Sequence, residues 1–387
     1  MLVPSSRRSR WWLPVLVLVA ALLASCAHFP DSGPRNWRDK PDDSGPLAAP
    51  PRVPEQGQQD DRSTPPPAQP GETPPGGCVD PDPQVVATCL DPVAAVAVLP
   101  GGQAALVAER ATGRILRVQK DKPTELVNTV RVDAAGGGLS GLVLSPSYGE
   151  DRLLYAYAAT ATDHRVLRIA GSDPPTPVLT GIPHPPGDGG GALGVSKDGY
   201  LLVATAADAS SGSPSSLAGK VLRIDTLGRP ARSNPIPGSP VYASGLRSPG
   251  GICTSKQTGT VWVTDRAGDR DLLHRIIPGT LGPPAWTWPD RPGVAGCVAP
   301  DNAVLISERG ASAMFMLLIN KTGAFTGRPQ TVLAGVWGRI GPATLGPDGL
   351  TWIGTNNKRN GGPITPSDDR VIRILILAGG EAGAGPD

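Results

Sequence analysis

From Asp188 to Ile224, apolar residues and turn formers alternate in short blocks. A Gly189-Gly190-Gly191 turn leads into the apolar run Ala192–Val195, and a Lys197-Asp198-Gly199 turn leads into a second run, Tyr200–Thr205. A polar loop then precedes Lys220-Val221-Leu222-Arg223-Ile224. Runs of this length, rich in Val, Leu and Ile and punctuated by Asp-Gly or Gly-Lys, predict consecutive antiparallel strands. The same grammar recurs five times. The first copy is Val96–Gly102, Ala105–Arg110 and Gly113–Val118, and the second is Gly141–Pro146, Leu153–Ala158 and Arg165–Ile169. After the Asp188 unit come Gly251–Thr254, Gly259–Asp265 and His274–Ile276, then Gly296–Pro300, Ala303–Ser307 and Met314–Ile319. The last copy is Pro342–Pro347, Gly349–Gly354 and Asp369–Ile374. Six units at a period of roughly 40–55 residues predict an all-β, six-bladed β-propeller. One blade cannot bury both of its faces, so the six pack radially around a channel.

The start of the chain lies outside this pattern. Arg7, Arg8 and Arg10 precede an apolar run from Trp11 to Ala24 that ends in Leu23-Ala24-Ser25-Cys26. A basic segment, a short apolar segment and small residues before the cut describe a secretory signal over 1–26. The ending resembles a bacterial lipoprotein box, which implies lipidation of Cys26 and a stable anchor through more than one acyl chain. The chain is therefore expected on the extracytoplasmic face of the cell membrane. Residues 27–77 are Pro-rich with almost nothing apolar to bury, and they predict a disordered tether. Fully extended, it would reach on the order of 150 Å. The propeller is expected over 78–378, followed by a flexible Gly/Ala-rich tail at 379–387.

Composition fits this reading. The 50 Gly and 45 Pro favour turns over helices, and with 4% aromatics the core must be mostly Val, Leu, Ile and Ala. A net charge of +2 offers no basic stripe for nucleic acid. Sugars, envelope glycans and envelope proteins stay open as partners. Setting Cys26 aside leaves Cys78, Cys89, Cys253 and Cys297 in an exported chain, where disulfides persist. Three pairings are possible. Proximity favours Cys78–Cys89, stapling the approach to the first blade, and Cys253–Cys297, tying inner strands of neighbouring blades. Zinc is not expected, since there is no CxxC and the four His are scattered. Gly189-x-Gly191-x-x-Gly194 satisfies a dinucleotide pattern only formally, because a strand follows it where that pattern needs a helix.

The motifs, taken in order, resemble one family. The first repeat resembles the opening blade of the glucose/sorbosone dehydrogenases, soluble six-bladed quinoproteins that use pyrroloquinoline quinone (PQQ). Gly137-Gly138-Leu139-Ser140-Gly141-Leu142, Tyr242-Ala243-Ser244-Gly245-Leu246-Arg247-Ser248-Pro249-Gly250-Gly251 and Trp288-Pro289 resemble later signatures, and the likeness spans 93–375. The order of signal, tether and propeller is similar to that of mycobacterial lipoproteins carrying this domain. The resemblance implies PQQ and calcium as cofactors and a His as general base. That His position falls on Asp188, a carboxylate with a much lower reference pKa than imidazole. His184, four residues earlier, is the alternative base, or else an exposed loop residue.

Among the quinone contacts that the resemblance implies, Arg247 matches, Ser248 stands for Asn, and Arg339 matches the first of two arginines. Gly341 stands for the second arginine, and the Lys position falls near Arg309 or Gly310. Asn357 and Arg359 lie in a last-blade loop expected at a channel mouth. The calcium-holding Gly-Pro becomes Arg266-Ala267, and the acidic motif after it becomes Asp271-Leu272-Leu273-His274. Asp265, Asp269 and Asp271 could still bind a cation, but Arg266 and Arg270 interleave them, so a surface ion-pair ladder is the expectation. These departures favour a propeller that binds a sugar-like or anionic ligand in its funnel with an altered or degraded catalytic site. The alternatives are an active PQQ-dependent aldose dehydrogenase and a protein-interaction scaffold in the envelope.

Overall fold

The computed structural model describes residues 78–187, 189–320, 323–359 and 364–376, with the backbone of 382–383. The signal segment with Cys26, the tether 27–77, Asp188 and most of the tail lie outside the described residues.

Six antiparallel sheets follow one another along the chain. Blade I is β2 (Val93–Val98), β3 (Ala104–Glu109), β4 (Arg114–Gln119) and β5 (Glu125–Thr129). Blade II is β6 (Leu139–Leu144), β7 (Leu153–Ala159), β8 (His164–Ala170) and β9 (Thr176–Ile182), with a single turn of helix, α1 (Tyr148–Asp151), between β6 and β7. Blade III is β10 (Ala192–Val195), β11 (Leu201–Ala204), β12 (Lys220–Ile224) and β13 (Val241–Ser244), to which β17 (Gly279–Thr280) adds in parallel. Blade IV is β14 (Pro249–Thr254), β15 (Val261–Arg266), β16 (Asp271–Ile276) and β18 (Trp286–Trp288). Blade V is β19 (Val294–Val298), β20 (Ala303–Glu308), β21 (Ala313–Ile319) and β22 (Phe325–Val332).

Blade VI draws on both ends of the fold. It contains β23 (Ile340–Leu345), β24 (Thr351–Thr355) and β25 (Val371–Ile376), and its outer strand is β1 (Val85–Ala87), which pairs antiparallel with β25. The short β26 (Ala382–Gly383), in the stretch expected to be a flexible tail, also pairs with β25.

The core is divided among the seams between blades. The middle strands bury both faces, one against each neighbour. In β3, Leu106 and Ala108 join the cluster shared with blade II, while Ala105 and Val107 join the one shared with blade VI. In β11, Leu201 and Val203 pack towards blade II, and Leu202 and Ala204 towards blade IV. This explains why these strands read as continuous apolar runs, since alternation would leave one face polar. Near the axis the inner strands converge so closely that only glycine fits. A Cβ on Gly251 would lie 2.7 Å from the Cα of Gly296 in the next blade.

Cys253 of β14 and Cys297 of β19 are bridged across the inner strands of blades IV and V, with Cα atoms 5.7 Å apart. Cys78 and Cys89 are bridged with Cα atoms 5.6 Å apart. This second bridge, expected from proximity, lies just ahead of the first blade in the chain. It encloses β1, which belongs to blade VI, and the Cys89 amide donates to the carbonyl of Ser367.

Candidate functional site

In three blades the second strand ends in an acid followed by an arginine: Glu109-Arg110, Asp265-Arg266 and Glu308-Arg309. In two of them the acid reaches sideways to backbone amides just ahead of the inner strand of its own blade. Glu109 accepts from the Asp91 amide at 3.0 Å, and Asp265 accepts from the amides of Arg247 and Ser248 at 2.9 and 2.6 Å. The three arginines line one mouth of the channel together with Arg359, which follows β24. The starts of the inner strands complete the wall, with Ala94, Ser140, Gly190, Gly191, Gly250 and Pro342 among them.

The arginines crowd this mouth to about 40 Å³ of free space, room for about one water. They form a floor at this end of the channel. A bore of about 590 Å³ lies beyond it, sharing Ala94, Ser140, Gly250 and Pro342 with the mouth.

Charge is concentrated here against solvation. Burial, followed by the fields of Arg359, Arg309 and Arg266, pushes the Arg110 guanidinium down to about 9. Arg309 is lowered to about 10 by burial and by Arg266 and Arg339. Burial also lowers Arg266 and Arg359. Arg110 donates from Nη1 to the Gly137 carbonyl at 2.7 Å, yet its Nε is buried with no protein partner, and so is the Nε of Arg339. Buried donors without acceptors beside mutually repelling cations suit a multiply charged anion held by bidentate contacts.

The residues expected to form the site are distributed differently. The Arg247 side chain is exposed and does not line the mouth. Its neighbour Ser248 holds Arg266, accepting from Nη2 at Oγ (3.0 Å) and from the backbone amide at its carbonyl (3.1 Å). Arg339 is half-buried and close enough to Arg309 to lower it.

Asn357, expected as a ligand contact, is a buried brace. Its Oδ1 accepts from the Arg339 amide at 2.7 Å, and its Nδ2 donates to the Trp337 carbonyl and to Asp368. Arg359 does face the mouth. The expected ion-pair ladder is also absent, because Asp265 and Asp271 are buried and turned to backbone amides. Asp271 accepts from Gly293 and Val294, and only Asp269 pairs with Arg270 at the surface. Among the described residues no group of three or more acidic, His or Cys side chains is placed to hold a metal.

Asp188 lies outside the described residues. His184 is not an exposed loop residue. It is half-buried, its ring meets His164 edge-on at 4.9 Å, and its Nε2 is buried with no partner. The Gly136 carbonyl lies 2.9 Å from His164 Nε2 and requires the proton there, so His164 Nδ1 accepts from the Tyr157 hydroxyl at 3.1 Å. The Tyr157 ring in turn packs under Gly191, where a Cβ would come within 2.7 Å of the ring. The glycine run thus serves close packing, and the strand that follows it is β10. The family motifs do not single out Arg110; its signal is the acid–arginine dipeptide that recurs at the end of second strands.

Comparison with known proteins agrees with this architecture. No curated protein matches the sequence. The PQQ-bound aldose sugar dehydrogenase of Streptomyces coelicolor superposes with a TM-score of 0.69 at 28% identity, over 75% of this chain and 95% of that one. A glucose dehydrogenase-type oxidoreductase of Thermus thermophilus gives 0.68 at 28% identity, over 75% and 98%. The soluble aldose sugar dehydrogenase of Escherichia coli, at 18% identity and a TM-score of 0.63 over 75% and 97%, shares the fold. Residues 90–289, just over half of the sequence, match the family described as Glucose / Sorbosone dehydrogenase. With the six blades and the ordered motifs, that match makes this chain a member of the glucose/sorbosone dehydrogenase family.

Proposed function

We propose that this chain is a ligand-binding propeller of the cell envelope, anchored through Cys26 on the extracytoplasmic face, whose funnel receives an anionic ligand on the arginine floor. The observation that carries this reading is the convergence of Arg110, Arg266, Arg309 and Arg359 on one mouth, with the Nε of Arg110 buried and left without a partner. PQQ, a tricarboxylate, matches that donor set in charge, and the four arginines would hold its carboxylates at the mouth, whose free space admits about one water and not the whole cofactor. When bound it would supply a quinone able to take a hydride from a sugar. Calcium does not fit, because the acids at the expected position are engaged by backbone amides. The catalytic end is altered, with Asp188 at the position of the family's base. Among the described residues, exposed large apolar side chains such as Leu126, Leu227, Ile277 and Ile364 are spread over several blades and form no continuous rim for the scaffold reading.

Calorimetric titration of the purified full-length chain with PQQ tests the proposal. Saturable one-to-one binding is expected, weakened about tenfold or more in Arg110→Ala or Arg309→Ala, as the loss of a charge-assisted contact implies. Absence of heat at millimolar PQQ would remove the anionic-cofactor reading.

A second reading, an active PQQ-dependent aldose dehydrogenase, is favoured by the buried, partnerless Nε2 of His184 three residues from Gly187. It predicts dye-linked oxidation of aldoses that is lost in His184→Ala and in Asp188→Ala. Turnover unchanged in both variants would exclude these residues as the base.

A further inference from the structure

The charge at the mouth comes from the protein itself, and it bears on metal dependence. Arg266 stands at the first position of the Gly-Pro pair to which the family resemblance assigns calcium. Its guanidinium lines the mouth and is fixed from behind by Ser248 through Oγ at 3.0 Å and the carbonyl at 3.5 Å. The carboxylates nearest in sequence are committed elsewhere. Asp265 is fully buried and clasps the amides of Arg247 and Ser248, while Asp271 clasps those of Gly293 and Val294. A divalent cation placed here would meet Arg110, Arg309 and Arg359 as well as Arg266, and burial, followed by the fields of neighbouring arginines, already depresses Arg110 and Arg309. Electrostatics therefore disfavours a metal and favours an anion at the same point.

We propose that Arg266 replaces the divalent cation of this site with a fixed guanidinium, so that a multiply charged carboxylate ligand binds without metal. This rests on the reading of the funnel as an anion site and adds the source of its charge. A guanidinium differs from a metal ion in two ways that matter here. It offers a planar pair of donors that orients a carboxylate, and it stays in place when the ligand leaves. Arg110, Arg309 and Arg359 share the load, each delivered by the turn that follows a second strand.

The test is PQQ titration of the full-length chain in EDTA and, separately, in excess calcium, followed by calorimetry and by thermal shift. Equal affinity within about twofold in the two buffers is expected. Arg266→Gln should weaken binding about tenfold or more in both, with no rescue by calcium. Arg266→Lys, which keeps the charge and loses the fork, should fall between, and it serves as the second variant if the Gln protein fails to fold. Arg270→Gln, a surface arginine paired with Asp269, should bind as wild type. Binding seen only with calcium, or unchanged in both Arg266 variants, would overturn the inference while leaving the anion site standing. No binding in either buffer would take both down.

Discussion

Ser248 and Arg266 form a positioning pair: the serine hydroxyl accepts from one guanidinium nitrogen at 3.0 Å, and its carbonyl accepts the arginine's backbone amide at 3.1 Å. Ser248→Ala removes only the first contact. It should lower anion affinity by about threefold to tenfold, the worth of one hydrogen bond to a charged group, with little change in melting temperature. Calorimetry beside a thermal melt separates the two effects.

Glu308 gives the protein a stability that depends on pH near neutrality. Burial, with the nearby Asp290 and Asp271 carboxylates, raises its carboxyl from 4.5 to about 7. The folded state therefore holds a proton that the unfolded chain has released, and stability falls as pH rises from about 4.5 through 7. Glu308→Gln should melt like wild type at pH 4 and be more stable at pH 8, by about 1–2 kcal/mol after screening. Equal melting of the two proteins at pH 8 would contradict this.

Tyr157 is held from two sides. Tyr157→Phe leaves the buried Nδ1 of His164 without a donor and should destabilise by about 1–3 kcal/mol. Gly191→Ala pushes a methyl into that ring and the Ala204 carbonyl and should cost about 1–3 kcal/mol by overpacking. Denaturant unfolding reads both.

Asn357→Ala should mainly destabilise, because it frees the Arg339 amide and the Trp337 carbonyl from their shared brace. A loss of about 2–3 kcal/mol is expected. Arg359→Ala should weaken anion binding and leave unfolding nearly unchanged. The reverse assignment of the two effects would overturn the roles given to this loop.

The two bridges close loops of different length, with sequence separations of 44 for Cys253–Cys297 and 11 for Cys78–Cys89. Chain-entropy reasoning gives about 4 and about 3 kcal/mol respectively as upper estimates. Paired Cys→Ser variants should rank in that order by denaturant midpoint.

What the sequence made legible follows burial. The middle strands bury residues towards both neighbours and read as apolar runs, as in Ala104–Glu109 or Leu201–Ala204. Outer strands do not. Thr176–Ile182 and Phe325–Val332 are mostly exposed and carry no apolar signal by which to find them. The place of Val85–Ala87 in the last blade is a contact between distant parts of the chain, beyond any local pattern. At the site, family motifs located the loops but not the direction of their side chains. Arg247 sits at a matching position and points to solvent, while Arg110 and Arg266 carry the charge. Asn357 was legible as a loop former only, and its brace depends on Trp337, twenty positions away.

The bridge around β1 also decides how a pull on the chain is transmitted. Tension arriving from residues before Cys78 crosses the sulfur link directly to Cys89, then enters the fold at Leu90, whose amide donates to the Asp369 carbonyl. The three-residue strand that closes the ring is thereby taken out of the path of the force. Reducing the bridge would put that strand in series with the load and make it the first element to peel. Optical-trap unfolding under oxidising and reducing conditions should show the difference as an added low-force step.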